Sequence, residues 1–176
     1  MKFGETRLAG VFVIDLDRHD DERGFFARSF CAKEFADHGL PGSFVQFNIS
    51  YNRRRGTLRG MHFQAAPCEE SKLVRVIRGA IRDVVIDLRP SSSTYREWMA
   101  FELSADNRRS LYIPPGLAHG FQTLTDDAEL LYQMTEFYEP TLARGVRWND
   151  PAFAVSWPIA TPVMSARDAS FPDFAP

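Results

Sequence analysis

The fold is decided by the stretch KLVRVIRGAIRDVVIDLR, residues 72–89. β-branched side chains dominate its two halves, residues 73–77 and 81–88, and such side chains favour extended strands. Gly79 lies between the halves, where a turn residue is expected. We therefore predict a β-hairpin over this stretch and a chain built mainly from antiparallel strands.

Short apolar runs continue on both sides of this stretch. The further strand candidates are residues 11–14, 24–30, 44–51, 98–103, 110–113, 119–124 and 130–138. Short strands spaced about every ten residues, with turn signals between them, are typical of an antiparallel β-sandwich or barrel. Apolar residues at helical spacing over 32–40, stopped at Gly39, predict one substantial early helix. We predict a single all-β domain over residues 1–176 with few short helices.

Composition limits the classes of function. The chain is 44% hydrophobic, which is ample for a core, and a net charge of -2 does not favour nucleic acid or an anionic membrane as partner. Neither Cys31 nor Cys68 lies in a CxxC or metal-ligand spacing, so reduced thiols are expected. Glu5 and Asp15 interrupt residues 1–16, so no signal peptide is predicted there, and no later apolar segment has membrane-spanning length. We expect a cytoplasmic protein.

A second stretch, LRGMHFQ at residues 58–64, carries residue types suited to chemistry. Arg59 and His62 lie three residues apart among apolar neighbours. A guanidinium and an imidazole together suit a pocket that holds an anion beside a proton-transfer group. A hydrogen-bonded core histidine is the alternative that the residue types leave open.

Other candidates lie on predicted strand faces. Lys72 shares its face with valines and Tyr132 shares its face with Leu130, so both polar groups are expected near the core side. A solvated lysine and a buried tyrosine with a satisfied hydroxyl are the alternatives. His62 and His119 suit a metal, but there is no HxH pair and a full ligand set is hard to assemble, so acid–base use is favoured.

Several motifs occur in a fixed order along nearly the whole chain. They are Arg23-Gly24-Phe25-Phe26, Leu58-Arg59-Gly60-Met61-His62-Phe63-Gln64, Lys72-Leu73-Val74-Arg75-Val76, Pro114-Pro115-Gly116-Leu117-Ala118-His119-Gly120-Phe121, Leu130-Leu131-Tyr132, Arg147-Trp148-Asn149-Asp150-Pro151 and Ser165-Ala166-Arg167-Asp168. Together they resemble the dTDP-4-dehydrorhamnose 3,5-epimerase family. The resemblance implies a cupin-like jelly-roll β-barrel, usually a homodimer, that needs no metal or other cofactor. It also implies a nucleotide-diphosphate 4-keto-6-deoxy hexose as substrate, inverted at C3, C5 or both.

The resemblance assigns four catalytic positions. His62 matches the general base, and Asp168, which periodicity alone would leave as a helix cap or a solvated residue, matches the partner that fixes its tautomer. Lys72 matches the cation at the enolate oxygen. Tyr132 matches the acid that returns a proton from the opposite face, which is what inverts the carbon centre.

The resemblance also implies a set of substrate-binding residues. Arg23 and Arg59 match contacts with the diphosphate, whose charge suits guanidinium groups. The remaining positions that match substrate contacts or their supports are Phe26, Gln46, Asn48, His119, Tyr138 and Arg167, with Asp83 held more loosely. A surface ion pair is the alternative for each arginine that local sequence favours.

Arg28 departs from the family pattern. The family usually has a glutamate there, which accepts a hydrogen bond from the thymine ring N–H, whereas an arginine only donates. A donor matches the corresponding ring nitrogen of cytosine. We therefore hypothesise that Arg28 meets a base other than thymine and that the carrier is CDP or another nucleotide; an outward-turned Arg28 is the alternative.

Alternative functions stay open on sequence grounds. A 3,4-ketoisomerase would move the carbonyl through the same enediol, a cupin-like binder would hold the sugar nucleotide without reaction, and a metal-dependent cupin would need ligands that are hard to find. The set of His62, Lys72 and Tyr132 favours epimerisation. We also predict a homodimer, because strand exchange would cover an edge at residues 11–14 and bring Arg23 into the partner's site.

Overall fold

The computed structural model describes residues 1–175, and most of its regular structure is β-strand. The strands are β1 (Lys2–Glu5), β2 (Phe12–Asp15), β3 (Arg18–Asp21), β4 (Gly24–Ala27), β5 (Gln46–Asn52), β6 (Leu58–Gln64), β7 (Lys72–Arg78), β8 (Ala80–Asp87), β9 (Trp98–Ser104), β10 (Ser110–Ile113), β11 (Leu117–Thr123), β12 (Ala128–Met134) and β13 (Ala143–Gly145). Two short helices, α1 (Ala32–Asp37) and α2 (Ala166–Ala169), complete the described elements. The all-β prediction is confirmed.

The strands form two main sheets and one separate hairpin. The six-stranded sheet has the order β1-β2-β10-β7-β12-β5, and the five-stranded sheet has the order β13-β6-β11-β8-β9. β3 and β4 pair only with each other in the described chain. The pairings between named strands are antiparallel, as the sequence predicts.

Residues 72–89 form two strands, but the predicted hairpin is wrong. β7 pairs with β10 and β12, whereas β8 pairs with β9 and β11 in the other sheet. The chain crosses between the sheets at Gly79, whose φ is 73° and whose added Cβ would lie 2.3 Å from the Thr125 hydroxyl oxygen. Val76 and Ile81 then pack in the same core from opposite sheets, which buries more apolar surface than a lone hairpin would.

The N-terminal strands also differ from expectation. Residues 11–14 were predicted to carry an uncovered edge, but β2 is flanked by β1 and β10. Residues 18–21, which lie between two predicted strands, form β3. α1 agrees with the predicted helix: Phe35 is fully buried, and Gly39 has a φ of 70° just beyond the helix end.

Buried apolar clusters lie on both faces of the five-stranded sheet, and a further cluster packs Leu73 of β7 against Phe35 of α1. Between the sheets, Val74, Ile81, Val85 and Leu130 belong to one buried cluster. On the outer face of the five-stranded sheet, a second cluster is covered by the C-terminal segment, including Phe153. The C-terminal segment is therefore fixed by packing. Within residues 1–175, neither helix has the length and apolarity needed to cross a bilayer.

Candidate active site

A cavity of about 530 Å³ opens between the two sheets. Its walls come from β6 and β11 on one side and from β7 and β12 on the other. The predicted site residues that line it are Arg59, His62, Lys72, His119, Tyr132, Tyr138 and Arg167. Strands distant in sequence thus place their inward side chains around one space.

An irregularity in β6 places Arg59 and His62 on the same cavity. In a regular strand, residues three apart point to opposite faces. Here the pairing with β11 shifts, so that the three-residue step from Arg59 to His62 opposes the two-residue step from Phe121 to His119. Gly60 permits the close approach, because an added Cβ would lie 2.5 Å from the Cα of Gly120.

His62 and Asp168 form a hydrogen-bonded pair. The His62 Nε2–H donates to Asp168 Oδ1 at 2.8 Å, and the backbone N–H of Gly60 donates to Asp168 Oδ2 at 3.3 Å. Burial alone would raise the pKa of Asp168, but the hydrogen bonds and the nearby positive charge of Arg167 outweigh it and hold that pKa below its usual range. The pairing leaves His62 Nδ1 as the ring atom that can accept a proton.

Asp168 reaches His62 from the short helix α2. The Ser165 side chain caps this helix by accepting a hydrogen bond from the Asp168 N–H at 3.1 Å. Phe171 packs edge-on to His62 at a centroid distance of 5.9 Å and lies over Gly145, where any Cβ would come within 2.3 Å of the ring. Packing therefore fixes both members of the pair.

Lys72 and Tyr132 face the cavity from the other sheet. The Lys72 ammonium is largely buried and lies 2.6 Å from a carboxylate oxygen of Glu70. Tyr132 pairs with Val74 on β7, which places it beside Lys72 on the inward face. Burial raises the pKa of Tyr132, with the Arg59 charge opposing, so the phenol holds its proton at neutral pH.

A second histidine–aspartate pair lies next to the first. His119 is directly opposite His62 across the β6–β11 ladder, and its Nε2–H donates to Asp83 Oδ2 at 2.9 Å. Burial raises the pKa of Asp83, and the charges of His119 and Lys72 only partly oppose this effect. His119 is thus held with Nδ1 free, and it lines the cavity.

The cavity carries an excess of positive charge. Arg59 is held by Asn52 Oδ1, which accepts from Arg59 Nε at 2.7 Å. Lys72, Arg144 and Arg167 add three more cations to the lining, whereas Glu70 is its one acidic residue within the described chain. Such a lining attracts an anionic ligand such as a diphosphate.

Five predicted binding residues do not line this cavity in their own chain. Gln46 and Asn48 lie on the inward face of β5, but both form hydrogen bonds within the chain. Gln46 Oε1 accepts from the Tyr138 backbone N–H, and the Asn48 side-chain amide donates to Met134 Sδ. Arg23 is at the tip of the β3–β4 hairpin and pairs with Asp21. Phe26 and Arg28 line a separate cavity of about 260 Å³.

Sequence reasoning missed three side chains at the site. Glu70 lies two residues before Lys72, and extending the period-two pattern beyond the start of β7 would have placed it beside Lys72, where the structure has it. Arg144 follows an irregular stretch where β13 was not predicted, and Phe171 lies in a segment without periodicity. No group of three or more His, Cys, Asp or Glu residues within 1–175 is arranged to hold a metal ion.

Comparisons with known proteins agree with this geometry. The sequence model of the dTDP-4-dehydrorhamnose 3,5-epimerase family matches residues 5–176. A protein of that name from Methanothermobacter thermautotrophicus is 45% identical over 158 residues, which cover 90% of this chain and 84% of the relative. A dTDP-4-dehydrorhamnose 3-epimerase from Streptomyces niveus is 37% identical over 169 residues, covering 96% and 81%.

A solved structure extends the likeness to the whole fold. The crystal structure of dTDP-4-dehydrorhamnose 3,5-epimerase from Bacillus anthracis, with TDP and PPi bound, superposes with a TM-score of 0.95 at 40% identity. The match covers 98% of this chain and 99% of that one, which confirms the cupin-like jelly-roll class. Sequence, fold and cavity agree, and the chain belongs to the dTDP-4-dehydrorhamnose 3,5-epimerase family.

Proposed function

We propose that this chain inverts C3, C5 or both in a nucleotide-linked 4-keto-6-deoxy hexose by proton transfer through an enolate. Membership of the family makes it an isomerase of the epimerase class. One observation carries the mechanism: a histidine with a carboxylate partner and a proton-bearing tyrosine face one cavity from opposite sheets. A sugar ring between the sheets meets His62 on one face and Tyr132 on the other.

In this mechanism, His62 Nδ1 takes the proton from the carbon next to the ketone. The C–H electron pair moves into the C–C bond, and the carbonyl oxygen becomes an enolate oxygen. Lys72 donates a hydrogen bond to that oxygen, since charge stabilisation at a developing oxyanion often lowers such barriers most. Asp168 stabilises the imidazolium that forms.

Tyr132 completes the inversion by donating its phenolic proton to the opposite face of the same carbon. His62 then releases its extra proton to solvent, and the Tyr132 phenolate takes up a proton from solvent. A single acid–base group would return the proton to the face it left, so two groups on opposite sheets are what inversion needs. The raised pKa of Tyr132 keeps the phenol protonated at neutral pH, so a proton is present to be donated.

We infer that Arg59 and Arg167, which both line the cavity, bind the diphosphate. Both guanidinium groups line the cavity, and the bond from Asn52 leaves the two Nη atoms of Arg59 to meet an anion, apart from a long contact from Nη2 to the Tyr51 carbonyl at 3.4 Å. His119 and Tyr138, which also line the cavity, are inferred to contact the sugar or its neighbours.

We also infer a homodimer, in which a second copy covers two exposed apolar surfaces. β5 is an edge strand, and its outward residues Phe47 and Ile49 are 61% and 63% exposed. The β3–β4 hairpin pairs with no other strand in the described chain and exposes Phe26 to 75%. A second copy would cover these apolar groups. The β3–β4 hairpin of one copy would then bring Arg23, Phe26 and Arg28 to the cavity of the other copy.

The dimer is tested by sedimentation and by mixing variants. Arg23→Ala and His62→Ala chains, each weakly active, are expected to regain about a quarter of wild-type activity after unfolding and refolding together. One site of the mixed dimer would then hold both native residues. A monomeric protein in sedimentation, or mixtures that stay at the level of the separate variants, would exclude a site shared between chains.

The nucleotide carrier is the finer part of the proposal. The relatives named above are dTDP-sugar epimerases, which supports dTDP. Arg28 supports a base with a ring acceptor, although its guanidinium is engaged with Glu34 at 2.9 Å. Competition by dTDP, UDP, GDP and CDP decides it: preference for CDP that reverts in Arg28→Glu supports the Arg28 hypothesis, and preference of the wild type for dTDP excludes it.

The reaction itself is tested in deuterated water with dTDP- and CDP-linked 4-keto-6-deoxy hexoses. We expect deuterium at C3, at C5 or at both, with products of inverted configuration, and no effect of a chelator. Movement of the ketone from C4 to C3 would support the ketoisomerase alternative. Binding without any exchange would support the binder.

The cellular location is inferred separately. Cys31 and Cys68 are unpaired thiols, which supports the expected reducing cytoplasm.

A further inference from the structure

Glu70 is a buried carboxylate at the wall of the cavity. It lies two residues before Lys72, just outside β7, and its side chain meets that of Lys72. Its Oε1 accepts from the Lys72 ammonium at 2.6 Å, and only 4% of its side chain is exposed. Both residues line the cavity, so the pair forms part of its polar surface.

The second oxygen of Glu70 has no hydrogen-bond partner. Oε2 is buried, and no donor within residues 1–175 reaches it. A buried carboxylate oxygen without a donor is costly, and folded proteins seldom leave one unless a ligand or an ion supplies the partner. Glu70 lines the cavity, so a ligand that binds there can supply the missing donor once the carboxylate turns toward it.

The chemistry of the substrate identifies the donor. In a 4-keto-6-deoxy hexose, the ketone carbon has two ring neighbours: C3, which carries a hydroxyl, and C5, which carries a methyl group. If Lys72 donates to the ketone oxygen, the hydroxyl nearest to the ammonium is the one on C3. Glu70 Oε1 already touches that ammonium, so we expect the neighbouring Oε2 to lie close to the C3 hydroxyl.

We propose that Glu70 is a specificity-determining residue that holds Lys72 with one carboxylate oxygen and accepts a hydrogen bond from the C3 hydroxyl of the sugar with the other. The inference rests on the proposed function, because Lys72 at the ketone oxygen defines where the hydroxyl lies. Inversion at C3 turns that hydroxyl to the other face of the ring. Glu70 therefore distinguishes the two configurations at C3, whereas it does not contact the C5 methyl group.

A cycle of protein variant and ligand variant tests the contact. The dissociation constants of a dTDP-linked 4-keto-6-deoxy hexose and of its 3-deoxy analogue are measured by calorimetry. All proteins carry His62→Ala, so that the ligand does not turn over. With Glu70 present, loss of the hydroxyl should weaken binding about tenfold to a hundredfold, the range for a hydrogen bond to a charged group. In Glu70→Ala, the two ligands should bind within about twofold, since little remains to distinguish them.

Two further variants make the result specific. Glu69→Ala removes the adjacent, exposed carboxylate and should keep the full penalty for the 3-deoxy ligand. Glu70→Gln, which preserves shape and an acceptor for Lys72, should show a penalty between those of the wild type and Glu70→Ala. It also serves as the test if Glu70→Ala fails to fold.

The outcomes separate this inference from the proposed function. In the His62→Ala background, an equal penalty with Glu70 and with Glu70→Ala, or an undiminished penalty with Glu70→Gln, overturns the contact. Deuterium exchange by the enzyme with native His62 tests epimerisation independently. If deuterium exchange occurs but the 3-deoxy penalty does not depend on Glu70, the proposed epimerase function holds and only the Glu70 contact is excluded. If the penalty depends on Glu70 but no exchange occurs, the contact holds and the epimerase function is excluded.

Discussion

Two buried carboxylates in this molecule use their oxygens in different ways. Asp87, at the end of β8, is fully buried, and both of its carboxylate oxygens accept hydrogen bonds. The donors are Arg89, Ser92 and Thr94, at 2.6 to 3.0 Å. Glu70, before β7, is almost as buried, but it bonds Lys72 through one oxygen and leaves the other without a donor in the described chain.

The difference distinguishes a buried carboxylate that stabilises the fold from one that can accept a hydrogen bond from a ligand. The donors of Asp87 come from its own loop, residues 89–94, so its charge closes a turn and offers nothing to a ligand. Around the cavity, Glu70 Oε2 and Asp83 Oδ1 both lack donors. A carboxylate that is expensive to bury and incompletely bonded indicates a ligand more clearly than burial or charge alone.

The largest expected effect is on the rate of the reaction in the cavity. His62→Asn should lower the rate of deuterium exchange about 1,000-fold, because the variant lacks the base that removes the proton. Exchange is followed by NMR in deuterated water. His38→Asn, at an exposed position beyond α1, should retain the wild-type rate. Exchange that persists in His62→Asn would mean that another group, such as His119, is the base.

Removal of the saturated carboxylate should affect stability instead. Asp87→Ala leaves the Arg89 guanidinium and two hydroxyls without their acceptor, which should lower the free energy of unfolding by about 3 kcal/mol. Denaturant titration measures the change, and the folded variant should keep its rate of exchange. The exposed Asp106→Ala is the control. A loss of activity larger than the loss of folded protein would contradict the structural role.

Tyr132→Phe should separate the two halves of the reaction. Without the phenolic proton, inversion should fall about 100-fold, while His62 still exchanges the substrate proton with solvent on its own side. The ratio of inverted product to exchanged substrate is the quantity to measure, and Tyr95→Phe serves as the matched control. Equal losses of exchange and inversion would show that Tyr132 does not act as the separate acid.

Acid titration gives the smallest expected effect and concerns Asp87 again. Burial alone would raise the pKa of Asp87, but hydrogen bonds from Arg89, Ser92 and Thr94 outweigh burial and lower this pKa from 3.8 to about 2. The folded pKa is depressed, so this stabilisation is complete above about pH 4 and is lost as the pH falls through about 2. It amounts to about 2 kcal/mol. Unfolding free energies of the wild type and Asp87→Asn should converge over this range; parallel curves would contradict the assignment.

Local patterns predicted much of the fold but not its long-range pairings. Alternation and β-branched residues located most strands, including the inward face that Lys72 and Tyr132 share with apolar neighbours. The turn around Gly79 has the composition of a hairpin turn, yet it joins two sheets. Which strand pairs with which depends on burial of the whole core, and that information is not contained in eighteen adjacent residues.

The candidate site divides in the same way. Arg59 and His62 were visible as residue types, but the shifted pairing that turns both toward the cavity depends on Gly60 meeting Gly120. Asp168 could be proposed only through resemblance, because no periodicity links it to His62. The unpaired carboxylate oxygen of Glu70 cannot be predicted from a sequence pattern, because it depends on which hydrogen-bond donors the fold keeps out of reach.

The distance along the chain between His62 and Asp168 has a consequence for how activity appears during synthesis. The two residues are 106 positions apart, and Asp168 arrives on the last helix, α2. While the strands of both sheets are already being made, the imidazole has no carboxylate to orient it. In the proposed mechanism, proton transfer at full rate therefore begins only after the C-terminal segment has docked, so activity is expected to report the docking of that segment.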